Sequence, residues 1–225
     1  VQGVDDQMRI RVLQEYADAV VFRDIVERHD VTSLPALRHV MQYLLHNFAR
    51  NVSVRAIAGV LKQKGMCCRR ETLSEYISYF QDAYFAFGVS RRTDSFAVKR
   101  ANPDKCYLVD NGLIAALKPK NDAEKGWLLE NAVFLGLRRG FNRIEYYLTK
   151  TGREIDFIVT DEVTKDERLV QVCYDLSLPG TEARELAALR EARAETGVTD
   201  CVIVTDDEER ETADGIRILP AWKWL

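Results

Sequence analysis

The chain has 225 residues, of which 47% are hydrophobic and 30% are charged, a composition typical of soluble globular proteins with one domain or two. The five cysteines include no Cys-x-x-Cys pair, and the three histidines all lie in the first 46 residues of the chain. These patterns argue against a zinc site and leave little for a histidine-dependent nucleophile. No apolar run approaches the roughly 20 residues that a membrane span needs. We therefore expect a cytoplasmic protein with reduced thiols and no membrane partner.

The first residues contain neither a methionine nor a basic or apolar leader, which indicates a processed start or a piece of a longer protein. The net charge of −3 is unevenly distributed. Residues 1–34 carry 4 basic and 7 acidic side chains, residues 35–119 carry 13 and 6, and residues 120–225 carry 15 and 22. A basic middle segment is what a phosphate-facing surface needs, whereas the acidic last segment is a poor surface for a polyanion.

The first half of the chain shows helical apolar spacing followed by short runs typical of strands. The predicted helices are 7–27, 37–48, 54–64 (capped by Ser53) and about 70–87, and the predicted strands are 89–92, 96–100 and 105–110. Two helices, a turn, a longer helix and a β-ribbon follow the order of a winged helix-turn-helix domain. We therefore predict such a domain over residues 35–119, after a helical segment over residues 1–34.

A winged helix-turn-helix reads nucleic acid through the helix that follows the turn, here the predicted helix at about 70–87, and it contacts phosphates through its wing. The predicted helix residues are Arg69, Arg70, Thr72 and Ser74, and the predicted wing residues are Arg91, Arg92, Lys99 and Arg100. The same helix also presents Glu75 and Asp82, whose carboxylates repel phosphates. A protein-docking domain needs the same core, so DNA and a protein partner both stay open.

The second half, residues 120–225, begins with a linker at 119–122 and then alternates helices and strands. The predicted order is a helix at 123–139, strands at 144–148, 154–159 and 169–174, a helix at 181–195, and strands at 201–205 and 216–219. Helix, three strands, helix and strand form the skeleton of the restriction-endonuclease-like PD-(D/E)xK fold. The overall class is therefore predicted as α/β (α+β overall).

That fold places a Mg²⁺ site where two neighbouring strands carry a carboxylate and a Glu-x-Lys motif. Glu130, Asp156 and the carbonyl of Val172 are the predicted metal ligands, and Gln171 and Cys173 occupy the Glu and Lys positions. Compared with glutamate, Gln171 lowers the negative charge of the metal site by one unit. Cys173 supplies no positive charge in place of the lysine. The sequence thus predicts a degenerate nuclease site of Glu130, Asp156 and Gln171.

Two alternatives to a degenerate nuclease stay open. The first is an active Mg²⁺- or Mn²⁺-dependent nuclease, in which Lys150 on the preceding hairpin replaces the missing lysine. The second is a pure protein-interaction module that self-associates or binds another protein. The chain contains no Gly-x-x-x-x-Gly-Lys-[Ser/Thr] loop and no Rossmann fingerprint, so we expect no nucleotide cofactor in this chain.

Five stretches of the chain resemble a known family. They are 16–25 (YADAVVFRDI), 52–58 (VSVRAIA), 71–76 (ETLSEY), 105–113 (KCYLVDNGL) and 152–157 (GREIDF). Together they resemble the C-terminal half of prokaryotic AAA-type ATPases that carry a C-terminal domain of unknown function. The resemblance covers nearly the whole chain.

The resemblance implies a P-loop ATPase domain of the same polypeptide, with its ATP and Mg²⁺, preceding residue 1. Many members of the family keep Glu-x-Lys where this chain has Gln171 to Cys173. We therefore expect a non-catalytic region of an ATPase, in which a winged helix docks DNA or a protein beside an inactive nuclease-like domain.

Overall fold

The computed structural model describes residues 6–119 and 121–224, without the side chains of Phe96, Arg100, Ala101 and Asp122. The helices are α1 (Asp6–Ala19), α2 (Leu34–His46), α3 (Val54–Gln63), α4 (Arg70–Asp82), α5 (Phe96–Ala101), α6 (Asn111–Leu117), α7 (Lys125–Gly140), α8 (Thr181–Thr196) and α9 (Ala221–Trp224). The strands are β1 (Arg50–Val52), β2 (Ala86–Val89), β3 (Asp104–Leu108), β4 (Arg143–Leu148), β5 (Glu154–Thr160), β6 (Glu167–Val172), β7 (Asp200–Thr205), β8 (Arg210–Glu211) and β9 (Arg217–Pro220). A π-helical turn, Val20–Val26, directly follows α1.

The chain divides into two compact units. Within the described residues, the first unit contains residues 6–88, 104–119 and 121, and the second contains residues 89–103 and 122–224. The predicted division placed residues 35–119 in one domain. In the structure residues 89–103 instead cluster with the second unit, because their side chains pair with its strands.

Serine caps start two helices of the first unit: α3 begins at Val54 as predicted, whereas α2 begins at Leu34, three residues before the predicted start. The hydroxyl of Ser33 accepts from the N–H of Ala36, and that of Ser53 accepts from the N–H of Ala56, and such caps satisfy donors that a helix start leaves open. The apolar faces of α2, α3 and α4 form a core with a three-stranded sheet of order β1-β3-β2. Its fully buried side chains include Leu37, Leu44, Leu45, Leu73 and Phe80.

Two predictions in the stretch after α4 were wrong. The helix predicted to residue 87 ends at Asp82, and Tyr84 takes a left-handed backbone with φ of 55° that no helix can continue. The strand predicted over Phe96–Arg100 is the helix α5, because the hydroxyl of Ser95 caps the N–H of Val98. The aromatic and β-branched residues that favoured a strand are therefore outweighed by one local cap.

The second unit contains a six-stranded mixed sheet of order β4-β5-β6-β7-β9-β8. The strands β4, β5 and β6 pair antiparallel, whereas β6, β7 and β9 pair parallel. Helix α8 covers one face with a core that includes Leu169, Leu189 and Ile203. Helix α7 packs through Phe134 against Phe157 of β5. The predicted mixed α/β class is confirmed.

A β-bulge interrupts β5 beside the predicted site. Glu145 of β4 faces Ile158 and Tyr147 faces Ile155, so one residue lies between the pairs on β4 and two lie between them on β5. The extra residue lies at Asp156–Phe157, and bulges of this kind redirect side chains near functional sites. Consistent with the shift, Ile155 and Ile158 both enter the core under α8.

Several short elements were not predicted, namely α6, α9, β1 and β8. Helix α6 begins where Asp110 caps the N–H of Gly112. In the part of the chain that the structure describes, every helix is too short or too polar to cross a lipid bilayer.

Candidate functional site

Two side chains join β5 and β6 where their ladder ends, at the pair Phe157 and Val170. The Oδ2 atom of Asp156 accepts a hydrogen bond from the N–H of Val172 at 2.9 Å. In return, the Oε1 atom of Gln171 accepts one from the N–H of Asp156 at 3.2 Å. Both side chains are buried. They therefore replace the missing backbone pairs at the predicted metal-binding end of these strands.

Gln171 is also bound to a carboxylate from α8. Its Nε2 atom donates to Oε2 of Glu185 at 2.8 Å, and Glu185 is buried. The other oxygen of Glu185 accepts from Arg184 through Nη2 at 2.6 Å and Nε at 3.0 Å. This hydrogen bond with Glu185, together with its negative charge, raises the pKa of Arg184. Asp156, Gln171, Glu185 and Arg184 thus form one chain of contacts, which we call the strand-end network.

The strand-end network explains why an amide suits position 171. The Gln171 amide donates to a carboxylate on one side and accepts from a backbone N–H on the other. A glutamate here would face Glu185 at hydrogen-bond distance, and two buried carboxylates so close cannot both stay ionised. The neutral side chain therefore fits the neighbours that this chain provides.

Cys173 occupies the position where the nuclease motif carries lysine. Its side chain is half-buried and packs against the core under α8, and its Sγ donates to the carbonyl of Asp175 at 3.5 Å. Burial, and then the charge of Glu185, raise the pKa of the Cys173 thiol to about 11. At neutral pH the thiol is uncharged, so it provides neither a cation nor a thiolate nucleophile.

The remaining predicted ligands lie on α7 and at the end of β6. Glu130 is buried on α7, and Val172 ends β6. Lys150 is exposed on the turn between β4 and β5, where its backbone N–H donates to Glu195 of α8 at 3.0 Å. Among the described residues, no group of three or more His, Cys, Asp or Glu side chains is arranged to hold a metal ion. The set of Glu130, Asp156 and the Val172 carbonyl stays a prediction.

Two predicted wing residues have carboxylate partners inside the second unit. Arg92 pairs with Glu167 at 2.6 Å and with Glu145 at 3.4 Å, and Lys99 pairs with Glu145 at 3.3 Å. Burial alone would lower the pKa of Arg92, but the hydrogen bond and charge of Glu167 outweigh it and raise the pKa. Phosphate binding by these two side chains would require displacing those carboxylates.

Glu145 is the centre of this second cluster, which we call the Glu145 cluster. Its side chain is only 5% exposed, and it also accepts from Nε of Arg143 at 3.0 Å. The neighbouring Arg91 is half-buried, and its Nε atom is buried without a hydrogen-bond partner among the described residues. The side chain of Arg100, the last predicted wing residue, lies outside the described residues.

The predicted residues of α4 have a different environment. Arg69, Arg70 and Ser74 are exposed, whereas Thr72 is half-buried. Arg69 and Arg70 line an open groove together with Lys62 of α3 and with Cys67 in the connecting loop. The structure thus brings the cations of α3 and α4 together at one corner of the first unit.

Sequence reasoning missed Glu185, Arg184 and Glu145. Glu185 could have been found, because it precedes the buried Leu189 by four residues and Ala192 by seven, and a carboxylate in phase with an apolar stripe points inward. Arg184 and Glu145 gave no such signal. The contact of Arg184 depends on the rotamer of its neighbour Glu185, and the contacts of Glu145 depend on Arg92 and Lys99, which are far away in the chain.

Comparison with known proteins gives two curated relatives over nearly the whole chain. An uncharacterized protein of Methanocaldococcus jannaschii is 33% identical over 98% of this chain and 51% of its own length. An uncharacterized protein of Haemophilus influenzae is 26% identical over 98% of this chain and 53% of its own length. The chain spans about half the length of these relatives. No solved structure matches the chain significantly.

Two family descriptions divide the chain. Residues 1–124 match a domain of unknown function (DUF8612), and residues 125–224 match a second domain of unknown function (DUF4143). Because the first match covers more than half of the chain, the protein belongs to the DUF8612 family.

Proposed function

We propose that this chain is a non-catalytic docking region of a longer AAA-type ATPase. The DUF4143 domain often lies C-terminal to AAA ATPases, and the two relatives are each about twice as long as the segment that they share with this chain. ATP and Mg²⁺ would bind in the ATPase domain of the same polypeptide. The first unit would dock DNA or a protein, and the second would serve as a scaffold.

The first unit supports a helix-turn-helix assignment through α2, α3 and α4 and their three-stranded sheet. The wing of a winged helix would be altered, because α5 occupies the predicted second wing strand. In the second unit, α7, the antiparallel strands β4 to β6, α8 and the parallel strand β7 follow the order of the restriction-endonuclease-like fold. These assignments are part of the proposal.

The observation that carries the non-catalytic role is the strand-end network. One oxygen of Asp156 accepts from the backbone of Val172, and both polar atoms of Gln171 have partners. Glu185 has both oxygens engaged, and Cys173 is a neutral thiol. A hydrolytic Mg²⁺ site needs available oxygens and a group that activates water. In this network hydrogen bonds within the protein hold the corresponding groups.

The test is incubation of supercoiled plasmid with the purified chain in Mg²⁺ and, separately, in Mn²⁺. We expect the plasmid to stay supercoiled at the rate of a protein-free control. Cleavage that an Asp156→Ala variant loses would overturn the proposal in favour of a nuclease that uses Glu130 and Asp156. Cleavage that the variant retains would identify a contaminating nuclease, and repurification to constant specific activity then decides the question.

A protein-interaction module remains the alternative docking function. It predicts a chain without nucleic-acid affinity that self-associates or retains a protein partner. Sedimentation of the chain alone across concentration tests the self-associating form, because a second copy would raise the apparent mass.

A further inference from the structure

Four cations form one surface at the corner between α3 and α4. Lys62, Arg69 and Arg70 line the same groove. Arg55 precedes Ala58, another groove residue, by three positions and Lys62 by seven, so it lies on the same helical face. All four side chains are exposed. We call Arg55, Lys62, Arg69 and Arg70 the α3–α4 corner.

The four cations of the α3–α4 corner have no acidic partner among the residues that the structure describes. In the part of the chain that the structure describes, none of its four side chains forms an ion pair or a hydrogen bond. By contrast, Arg92, Arg168 and Arg193 each pair with a carboxylate. Like charges gathered without counterions repel one another and attract polyanions.

The surface next to the corner limits how a polyanion can bind. The outward face of α4 carries Glu71 and Glu75 one turn apart, and then Asp82, and the two glutamates are exposed. A helix with that face cannot lie against base edges between two rows of phosphates without strong repulsion. Contact is favourable only at the N-terminal end of α4 and along the cationic face of α3.

We propose that the α3–α4 corner binds the phosphate backbone of double-stranded nucleic acid without reading its sequence. This inference rests on the docking role proposed above and names its partner. Phosphate contacts fix position and carry no sequence information by themselves. Four cations on four phosphates give a slope of about −3 to −4 for log affinity against log salt, which is roughly a hundredfold loss between 50 and 200 mM.

Cys67 is a built-in reporter of this surface. It is the exposed cysteine of the groove, and all five cysteines are described. Burial raises the pKa of Cys106 to about 12 and that of Cys173 to about 11, and it raises the pKa of Cys68 and Cys201 as well. A maleimide added near neutral pH should therefore modify Cys67 first.

The experiment is a fluorescence-anisotropy titration of a short DNA duplex of arbitrary sequence with the intact chain, repeated across salt. We expect binding with the slope given above, and equal affinity for a second duplex of unrelated sequence. Lys62→Gln and Arg70→Gln should each make the slope shallower by about one. Arg23→Gln is the matched control, because Arg23 is an exposed cation of the same unit that lines a different groove.

Maleimide labelling of Cys67 provides a second, independent measurement. Saturating duplex should slow the modification several-fold in the unaltered chain and in Arg23→Gln, but not in a Lys62→Gln/Arg70→Gln double variant. A slope near zero, equal slopes in all variants, or unchanged labelling would each overturn the proposal.

The failure of this proposal is distinguishable from failure of the proposed function. No duplex binding, together with no plasmid cleavage, removes the nucleic-acid partner and leaves protein docking by the non-catalytic region. Metal-dependent cleavage lost in Asp156→Ala removes the non-catalytic role. A strong preference between duplexes of different sequence would show base reading and overturn the backbone contact proposed here.

Discussion

The α3–α4 corner and the Glu145 cluster contain the same kinds of side chain in opposite situations. Arg69 and Arg70 of the corner were predicted to lie at a nucleic-acid groove, and Arg92 and Lys99 of the cluster were predicted to contact phosphates. At the corner the cations are exposed and unpaired within the described residues, whereas Arg92 and Lys99 share the carboxylate of Glu145. The comparison teaches that a basic residue indicates a binding surface only when the fold provides no acidic partner for it.

The two situations also differ in what each charge does for stability. Exposed charges contribute about 0–1 kcal/mol each, whereas removing one partner from a buried pair costs more, because the remaining charge is left without a counterion. The ion pairs of the Glu145 cluster join residues 89–103 to the strands of the second unit. We expect the α3–α4 corner to contribute little to the free energy of unfolding. Stability measurements can therefore separate a structural cluster from an interaction surface.

The largest expected effect is from Glu145→Ala. The substitution leaves Arg92, Lys99 and Arg143 without their shared carboxylate, and since these three are partly exposed we expect a loss of about 2–3 kcal/mol in the free energy of unfolding. All three tryptophans, Trp127, Trp222 and Trp224, belong to the second unit. Urea denaturation followed by tryptophan fluorescence measures this unit.

Glu162→Ala is the control for that measurement. Glu162 is exposed on the connection between β5 and β6, so its removal should change the free energy of unfolding by less than about 0.5 kcal/mol. Equal losses of unfolding free energy in Glu145→Ala and Glu162→Ala would show that the Glu145 cluster stabilises the second unit no more than an exposed charge does.

The second prediction concerns the strand-end network. Glu185→Ala leaves the buried Nε2 group of Gln171 without its acceptor, which costs about 1–3 kcal/mol. Glu185→Gln keeps an acceptor oxygen at the same place and should cost less than half as much. The same fluorescence measurement applies. If both substitutions cost equally, the hydrogen bond to Gln171 is not the reason for the buried carboxylate.

Elements governed by local signals were predicted well from the sequence. The helix at 54–64 was predicted from Ser53 and from the spacing of Ile57 and Leu61, and α3 covers Val54–Gln63 with that serine as its cap. The strand at 201–205 was predicted from its apolar run, which is typical of a strand buried on both faces, and β7 covers Asp200–Thr205. In these cases the nearest neighbours decide the structure.

Features that depend on distant partners were not predictable in this way. Whether Lys99 faces solvent depends on Glu145, 46 residues further along the chain. The environment of Gln171 depends on Glu185, which a helix brings back to the strand. The motif at 171–173 shows that lysine is replaced, but only the fold shows which groups form hydrogen bonds with the side-chain amide of Gln171.

The third prediction is a pH dependence of the second unit. Burial would raise the pKa of Asp200, but the hydrogen bonds and charges of Arg168 and Arg217 outweigh it and lower the pKa below the ordinary 3.8. A carboxylate with a lowered folded-state pKa stabilises the protein above its ordinary pKa, and the stabilisation is lost as the pH falls through about 4 and below. Because Asp200 is partly exposed, we expect less than about 1 kcal/mol.

The measurement compares urea midpoints of the unaltered chain and Asp200→Asn at about pH 7 and pH 3. The variant should be less stable at the higher pH and should lose less on acidification. Asp207→Asn, an exposed residue of the same unit, should follow the unaltered chain. Parallel pH profiles for all three proteins would contradict the role given to the Asp200 ion pairs.

The smallest expected effect on stability is from substitutions in the α3–α4 corner. Lys62→Gln and Arg70→Gln remove exposed charges that have no partner in the described residues, so each should change the free energy of unfolding of the first unit by less than about 0.5 kcal/mol. Because all three tryptophans lie in the second unit, circular dichroism and tyrosine fluorescence have to follow the first.

Arg92→Gln makes the same chemical change in the Glu145 cluster and should cost about 1–2 kcal/mol, because it leaves Glu145 and Glu167 short of a donor. A loss at Lys62 or Arg70 as large as the loss at Arg92 would mean that the corner is structural after all. Free cations whose removal leaves folding unchanged are available for a ligand, and that is the property that the duplex titration measures.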